Sequence, residues 1–378
     1  MNIAKIDLFQ VDLPYSGGVY HLSRGRTYET FDASIVRVTA DDGTVGWGES
    51  TPFGSTYVAA HAGGTRAAIE LLAPALLGQD PRRVDRINEL MDETLLGHND
   101  AKAALDIACW DLFGKSVGLP VCELLGGRTD VPLPLISSIH TGEPEEMRAR
   151  VADHRARGYM GHSIKIGTHD RDGGPTVDAE RIVACLADRQ PGEWFLVDAN
   201  TGLTPETARR LFSLLPDGLD FVLESPCATW RETLAVRRAS PYPLILDELA
   251  MNDDDLIHSI ELDAADGFGL KVTPAGGLTA SRRQRDIARA AGYITTVQDT
   301  VGSDISYAAI VHLGATVPAE LLRCVLKPSD MVTLTTAKFE PIEADGGVLP
   351  PELPGLGIEV DESVLGEPVA SWAVQPAG

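Results

Sequence analysis

Short apolar runs recur roughly every 25 residues along the middle of the chain, and segments with helical spacing of apolar residues separate them. Charged residues end several runs, at intervals of 33 from Lys165 to Asp198, then 26 to Glu224, 23 to Asp247 and 24 to Lys271. Each interval accommodates one strand, one helix and two loops, and strands that alternate with helices form a parallel barrel. The strands are predicted at 132–139, 162–166, 194–198, 220–224, 243–247, 267–271, 293–299 and 321–326.

The intervening helices complete an α/β fold, a (β/α)7β-type TIM barrel. They are predicted at 143–157, 177–189, 204–215, 229–239, 253–262, 278–291 and 304–315.

The first part of the chain has the pattern of an α+β domain. Strand-like runs at 3–13 and 34–40 precede a hairpin turn at 41–44, and helical stretches follow at 57–76, 84–95 and 101–115. The paired glycines Gly126 and Gly127 mark the predicted join. We therefore predict a capping domain at 1–125, a catalytic barrel at 126–328 and a C-terminal segment at 329–378 that returns to the capping domain.

Composition restricts the partners. The 378 residues include 32 Lys and Arg against 55 Asp and Glu, and the net charge of −23 disfavours nucleic acid and anionic lipid. Five cysteines without a CxxC pair suggest a reducing compartment. The sequence contains neither a signal-peptide pattern nor an apolar run near the roughly 20 residues of a membrane span. We expect a cytoplasmic enzyme that binds neither nucleic acid nor membrane.

Five charged residues end five successive predicted strands, at the end of the barrel where active sites form: Lys165, Asp198, Glu224, Asp247 and Lys271. Burying such charges is costly unless they are paired or bind a metal ion. Three neighbouring carboxylates would repel one another without a cation, and hard oxygen ligands suit Mg²⁺. The alternative is that each acid caps the following helix. That explanation suits a single carboxylate better than three in succession with a lysine on each side.

The two lysines predict acid–base chemistry. Lys165 and Lys271 end the second and sixth barrel strands, which lie opposite each other. A carboxylate substrate bound to Mg²⁺ would have its α-carbon between them, and the metal would stabilise the enediolate formed when the α-proton leaves. The alternative is that each lysine only forms an ion pair with a carboxylate.

The segments that contain these residues, in their order and spacing, resemble a known superfamily. The chain is similar over essentially its whole length to the enolase superfamily, in the muconate-lactonizing subgroup of the mandelate racemase/muconate lactonizing enzyme group. The segments are Ser163-Ile164-Lys165, Val197-Asp198-Ala199-Asn200, Glu224-Ser225-Pro226, Asp247-Glu248 and Lys271-Val272-Thr273-Pro274-Ala275-Gly276-Gly277.

The resemblance implies roles for individual residues. It implies one Mg²⁺ held by Asp198, Glu224 and Asp247, acid–base roles for Lys165 and Lys271, and supporting roles for Glu248 and Asn200. Ser163 stands where the subgroup usually has a lysine, so which lysine takes the proton stays open.

Further stretches resemble enzymes that act on proline-like amino acids. Segments 198–202 and 298–300 favour cis-3-hydroxy-L-proline dehydratase, whereas 97–99 favours the 2-epimerase of hydroxyproline betaine and proline betaine. Val301 stands where both relatives usually carry a tryptophan, and the absence of that ring disfavours a cage for a quaternary ammonium group. We expect dehydration, with epimerisation as the alternative. A Schiff-base aldolase with Lys271 as nucleophile and a non-catalytic barrel are less favoured.

Residues 15–28 form a polar and aromatic stretch that is expected to be a flexible loop, and the capping domain is expected to supply a lid over the barrel mouth. Candidate contacts for the proline-like substrate are Tyr15, Tyr20, His21 and Tyr57 from that domain, and His140, Asp299 and Thr300 after the first and seventh barrel strands. The family resemblance also suggests a homo-oligomer, either a dimer or an octamer.

Overall fold

The capping domain is built on an antiparallel sheet. The computed structural model describes residues 1–375. Gly46 and Gly48 let the last strand of this sheet lie against a long helix, because a Cβ atom at either position would meet a backbone oxygen of Ala108 or Ala104 within 2.2 Å. The elements are β1 (Ile3–Pro14), β2 (Tyr20–Leu22), β3 (Arg26–Tyr28), β4 (Thr30–Ala40), β5 (Val45–Ser50), α1 (Ala62–Leu76), α2 (Val84–Thr94), α3 (Asn99–Val117) and α4 (Val121–Leu124).

Two local expectations in this domain were wrong. The helix predicted from Tyr57 begins only at Ala62, where the His61 side chain accepts a hydrogen bond from the backbone N–H of Gly64. Tyr57 therefore lies in the loop before α1. The stretch at 15–28, expected to be a loop, instead contains the antiparallel hairpin of β2 and β3, paired from Tyr20 to Tyr28.

The barrel alternates strands and helices as predicted. Threonine and asparagine side chains cap several of its helices, and prolines occupy the first turns of others, so the local sequence defines where these helices begin. The elements are β6 (Leu135–Ile139), α5 (Pro144–Ala156), β7 (Gly161–Lys165), α6 (Gly174–Leu186), β8 (Trp194–Asp198), α7 (Pro205–Leu214), β9 (Val222–Glu224), α8 (Trp230–Arg237), β10 (Leu244–Leu246), α9 (Asp253–Glu261), β11 (Gly267–Lys271), α10 (Val272–Ala275), α11 (Leu278–Ala291), β12 (Ile294–Gln298), α12 (Asp304–Gly314) and β13 (Leu322–Leu326).

The barrel is closed, in the order β10-β11-β12-β13-β6-β7-β8-β9, with parallel pairing throughout. Closure occurs where β13 pairs with β6, with Val325 opposite Leu135. This topology confirms the predicted fold class. It also brings the carboxyl ends of all eight strands to one mouth.

The C-terminal segment contains short strands and ends beside the first strand of the chain. Its last strand, β18 (Ala370–Ala373), pairs antiparallel with β1, so the capping sheet has the order β18-β1-β4-β5. The elements are β14 (Ala337–Phe339), β15 (Ile342–Ala344), β16 (Gly347–Leu349), β17 (Ile358–Val360), α13 (Glu362–Leu365) and β18 (Ala370–Ala373). Within residues 1–375, no helix is both long and apolar enough to cross a membrane.

Two buried carboxylates join the capping domain to the barrel. Glu49, in β5, accepts hydrogen bonds from the backbone N–H and the hydroxyl of Ser303, which caps α12. Asp106, in α3, accepts a bond of 3.0 Å from the backbone N–H of Thr279 in the first turn of α11. Helix N-termini attract negative charge, and α11 and α12 begin at the barrel mouth. These bonds therefore hold the capping domain over that mouth.

We predict that Glu49→Ala lowers the free energy of unfolding by about 2–4 kcal/mol, because buried donors at the start of α12 lose their acceptor. Urea unfolding monitored by circular dichroism measures the change. Glu70→Ala, at an exposed position of α1, is the matched control and should change stability by less than about 0.5 kcal/mol. Equal effects of the two substitutions would contradict the docking role of Glu49.

Candidate active site

Strand register brings the charged residues together at the barrel mouth. Lys165 lies opposite Asp198 in the pairing of β7 with β8, and Asp198 lies opposite Glu224 in the pairing of β8 with β9. Asp247 follows β10 directly, and Lys271 is the last residue of β11. In the barrel order β7 and β11 are separated by three strands on either side. The two lysines thus enter the mouth from opposite sides.

Four of these five side chains line one cavity with an empty volume of about 480 Å³. Both lysines contribute to its wall, together with Asp198 and Asp247. The other lining residues are Tyr20, Leu22, Phe53, Tyr57, Ile136, Ser137, Ser138, Ser163, Gln298, Asp299, Thr300, Leu326 and Met331.

Each lysine forms an ion pair with a carboxylate. Lys165 Nζ donates to Asp198 Oδ2, and Lys271 Nζ donates to Asp247 Oδ2. Tyr57 joins the second pair, since its hydroxyl accepts from Lys271 Nζ and donates to Asp247 Oδ2 over 3.0 Å. The Lys271 ammonium also lies 4.6 Å from the centre of the Tyr57 ring, a cation–π contact.

The pKa values follow from this arrangement. Burial, the largest single effect, lowers the pKa of Lys165, but the Asp198 carboxylate, Tyr20 and Glu224 together raise it by more, and the net pKa lies above the ordinary value. The pKa of Lys271 is also raised, because the Asp247 and Glu248 carboxylates oppose the lowering effect of burial. A cation that engaged the carboxylates would remove this effect and allow a lysine to lose its proton more easily.

The donor atoms of the carboxylates fit a metal ion. Glu224 Oε1 and Asp247 Oδ1 are buried and have no hydrogen-bond partner. Burial, followed by the neighbouring Asp198 and Asp247 carboxylates, raises the pKa of Glu224 well above its ordinary value. Buried, unpartnered and mutually repelling carboxylate oxygens are the chemistry that a hard divalent cation stabilises.

The side-chain arrangement is nevertheless that of lysine ion pairs. Among residues 1–375, no three His, Cys, Asp or Glu side chains already form a group that could hold a metal ion. Lys165 binds an oxygen of Asp198, and Lys271 binds an oxygen of Asp247. These contacts compete with coordination of a metal ion by the same oxygens. Binding of an ion therefore requires these carboxylates to turn from the lysines.

Asn200 organises the carboxylates from behind. Its side-chain amide donates to Asp198 Oδ2 over 2.9 Å and to Glu248 Oε1 over 3.2 Å, and its backbone N–H donates to Asp198 Oδ1 over 2.8 Å. Asn200 has a φ of +41° and Ser225 a φ of +40°, in the left-handed region that most side chains avoid. Strained backbone at strand ends is typical of functional sites.

Asp299 and Thr300 also line the cavity, at the end of β12. Asp299 accepts hydrogen bonds from the Thr273 hydroxyl, the Thr273 N–H over 3.1 Å and the Thr300 N–H over 2.7 Å. Burial raises the pKa of Asp299 to about 7, against the lowering effect of these bonds. The Thr300 hydroxyl donates to the backbone oxygen of Thr51 over 2.6 Å and so ties this loop to the capping domain.

Of the candidate contacts from the hairpin and from the first barrel strand, only Tyr20 lines the cavity. Its hydroxyl bonds with Ser138 Oγ over 2.6 Å. Tyr15 and His140 pack against the Tyr20 ring, with centroid distances of 5.3 and 5.6 Å, and His21 is exposed beside His140. The Tyr20 ring thus occupies the position facing the cavity, and the placement of Tyr15, His21 and His140 differs from the expectation of direct contact.

Several lining residues were missed by the sequence analysis. Gln298 is the last residue of β12 and directly precedes the predicted contacts Asp299 and Thr300, so its place at a strand end was the signal that could have identified it. Phe53 follows β5 and approaches the mouth only through the docking of the capping domain. Met331 belongs to the C-terminal segment, and no local pattern predicts its position.

Comparison with family models agrees with this architecture. Residues 9–126 match the mandelate racemase / muconate lactonizing enzyme N-terminal domain, and residues 146–364 match the enolase C-terminal domain-like family. The chain belongs to the mandelate racemase/muconate lactonizing enzyme group of the enolase superfamily. It is an enzyme of that superfamily, as the strand-end residues predicted.

Individual relatives are similar over nearly their full length. The cis-3-hydroxy-L-proline dehydratase of Roseibium aggregatum is 38% identical over 99% of this chain and 100% of its own length. The N-succinyl-L-Arg/Lys racemase of Bacillus cereus is 28% identical over 97% of this chain and 98% of the racemase. A mandelate racemase/muconate lactonizing enzyme structure from Roseovarius nubinhibens, complexed with magnesium, is 57% identical with a TM-score of 0.97, over 99% of this chain and 100% of that one.

We predict that Asp299 makes stability depend on pH. Its pKa of about 7 in the folded protein lies above the value of about 3.9 for an unfolded aspartate. The contribution of this group to stability is therefore complete below about pH 4 and is lost as the pH rises through about 7. Between pH 5 and 8 the parent protein should lose about 2–3 kcal/mol of unfolding free energy that Asp299→Asn does not lose.

Urea unfolding of both proteins at the two pH values measures this difference. Asp345→Asn, at an exposed position, is the control and should keep the pH dependence of the parent. An unchanged pH dependence in Asp299→Asn would show that Asp299 is ionised throughout this range.

Proposed function

We propose that this enzyme removes the α-proton of a small carboxylate substrate and dehydrates cis-3-hydroxy-L-proline. The observation that carries this proposal is the pair of lysines, Lys165 and Lys271, which border one cavity from opposite sides of the barrel. A substrate between them presents one face to each amine. The relative from Roseibium aggregatum, named for this activity, supports the choice of substrate.

The stereochemistry of that substrate suits two opposed amines. In cis-3-hydroxy-L-proline the hydroxyl and the carboxylate lie on the same ring face, so the α-hydrogen and the hydroxyl lie on opposite faces. One neutral lysine takes the α-proton and leaves an enediolate. The other lysine, protonated, then gives its proton to the hydroxyl as this group departs and the α–β double bond forms. The products are water and an enamine, which tautomerises to an imine.

We assign a magnesium site to Asp198, Glu224 and Asp247, with Asn200 and Glu248 holding the ligands in position. The unpartnered oxygens of Glu224 and Asp247 support it, as does the magnesium complex of the relative from Roseovarius nubinhibens. When bound, Mg²⁺ supplies positive charge that stabilises the substrate carboxylate as the α-proton leaves.

Residues around the cavity would orient the ring. Asp299 and Thr300 offer polar contacts for the substrate amine, and the aromatic rings of Tyr20 and Tyr57 cover the apolar ring edge. The hydrogen bond from the Thr300 hydroxyl to Thr51 keeps the capping domain closed over this side, which excludes water from the reacting carbon.

A second candidate is epimerisation at the α-carbon of a betaine such as proline betaine. The observation in its favour is aromatic: Tyr20, Phe53 and Tyr57 line the cavity, and such rings bind quaternary ammonium groups. Val301, in contrast, is buried and absent from the cavity wall. The same lysine pair would serve both reactions, since the second lysine returns a proton instead of releasing a hydroxyl.

Substrate turnover in D₂O separates the two functions. We predict that cis-3-hydroxy-L-proline loses water to form the cyclic imine, and that L-proline betaine does not epimerise, as followed by ¹H NMR. The trans-3-hydroxy isomer is the matched control. Its hydroxyl lies on the same face as the α-hydrogen, so α-deuterium exchange should exceed elimination. Epimerisation of the betaine without dehydration of the cis isomer would overturn the proposal in favour of the alternative.

Removal of metal tests the carboxylate site. We predict that dialysis against EDTA lowers dehydration by at least about a hundredfold, because the negative charge that develops on the substrate then lacks its counter-charge. Mg²⁺ added afterwards should restore turnover, and Asp247→Asn should raise the Mg²⁺ concentration required. Full activity after EDTA treatment, together with borohydride trapping of a carbonyl substrate on Lys271, would instead indicate Schiff-base chemistry.

A further inference from the structure

Ser163 carries a buried hydroxyl without a hydrogen-bond partner in the wall of the active-site cavity. Within the described residues, Ser163 and Asp247 are the two cavity-lining side chains that have a buried, unpartnered polar atom. The free oxygen of Asp247 belongs to the proposed metal site, whereas that of Ser163 has no such explanation. Buried polar groups normally have partners, so a hydroxyl left free in a binding cavity points to a ligand.

The position of Ser163 relates it to Lys165. Side chains alternate across a strand, and residues two apart on β7 therefore face the same way, into the barrel. Ser163 lies one pleat deeper than Lys165 on the same side of the cavity. Its neighbour across the sheet, Ser138, already shares a hydrogen bond with Tyr20.

The opposite side of the cavity has a different arrangement. There the Tyr57 hydroxyl is engaged by both Lys271 and Asp247. A polar substituent on the substrate ring would therefore find a free hydroxyl beside Lys165 and an occupied one beside Lys271. This asymmetry gives the substrate a preferred orientation.

We propose that the Ser163 hydroxyl binds the 3-hydroxyl group of the substrate, beside Lys165, and so selects the ring face from which water leaves. The inference rests on the proposed dehydration. Because the α-hydrogen lies on the other face of the cis isomer, Lys271 is then the residue that takes the α-proton, and Lys165 protonates the departing hydroxyl. A proton passing from Lys271 to Lys165 through solvent returns the enzyme to its starting state.

The serine also explains a departure from the usual subgroup pattern. A lysine at position 163 would extend a long charged side chain into the space beside Lys165. The short serine leaves that space for a substituent on the substrate ring and contributes a group that can both donate and accept a hydrogen bond. Ser163 is thus a substrate contact that separates elimination from simple proton exchange.

The test is the partition between two reactions of one substrate. In D₂O, cis-3-hydroxy-L-proline either incorporates deuterium at the α-carbon or loses water, and NMR follows both. For Ser163→Ala we expect elimination to fall about tenfold relative to α-exchange, as befits the loss of one hydrogen bond to the leaving group. The rate of α-exchange itself should change by less than about threefold. Ser163→Thr, which keeps the hydroxyl, should recover part of the elimination.

Ser281→Ala is the matched control. Ser281 also has a buried hydroxyl without a partner, but it lies in α11 and outside the cavity wall. Its removal should leave both reactions unchanged. If Ser163→Ala slows exchange and elimination equally, or slows neither, then its hydroxyl serves structure or binds only water, and the inference is overturned.

Failure of the proposed function gives a different result. In that case the parent enzyme itself neither exchanges nor dehydrates cis-3-hydroxy-L-proline, and the assignment of Ser163 falls with it. A parent enzyme that dehydrates this substrate, with an unchanged partition in Ser163→Ala, overturns the role of Ser163 alone.

Discussion

The balance of buried charge at the barrel mouth governs the rest of this structure. Lys165 neutralises the Asp198 carboxylate and Lys271 neutralises the Asp247 carboxylate. The Glu224 carboxylate, on the strand between those of Asp198 and Asp247, keeps an oxygen without a partner. Charges in so enclosed a place are tolerated only because they are adjacent to one another. The same adjacency links the two proposed functions of the cluster. A cation that takes over the carboxylates frees the lysines to exchange protons, so metal binding and acid–base chemistry depend on each other.

Enclosure of that cluster depends on the capping domain. Glu49 and Asp106 reach from this domain to the first turns of α12 and α11, helices that begin at the barrel mouth. Buried carboxylates at helix N-termini define the orientation of the two domains more narrowly than apolar contact would, because hydrogen bonds are directional. Tyr20, Phe53 and Tyr57 consequently form a wall of the cavity, and the site is assembled from both domains.

Unpartnered atoms distinguish the parts of the site that await a ligand from those already complete. Hydrogen bonds from Thr273 and Thr300 hold Asp299 in place, and Asn200 is bonded to Asp198 and Glu248, so these residues form a rigid frame. Ser163 and the free carboxylate oxygens lie inside that frame. The division matches a site in which preorganised groups surround a few atoms reserved for metal and substrate.

The sequence alone was sufficient for the barrel, because strand and helix periodicity and the charged strand ends are local signals that recur along the chain. β8 and β11 were predicted to the residue, and all five charged residues lie at the mouth. The part of the wall contributed by Phe53 and Met331 was decided only by tertiary structure, since it depends on how separate segments dock. Tertiary structure also decided that Tyr15, His21 and His140 do not line the cavity, because the ring of Tyr20 lies between them and the cavity. A residue pattern records which way a side chain faces along its own element, whereas packing between distant elements decides which of those side chains meet.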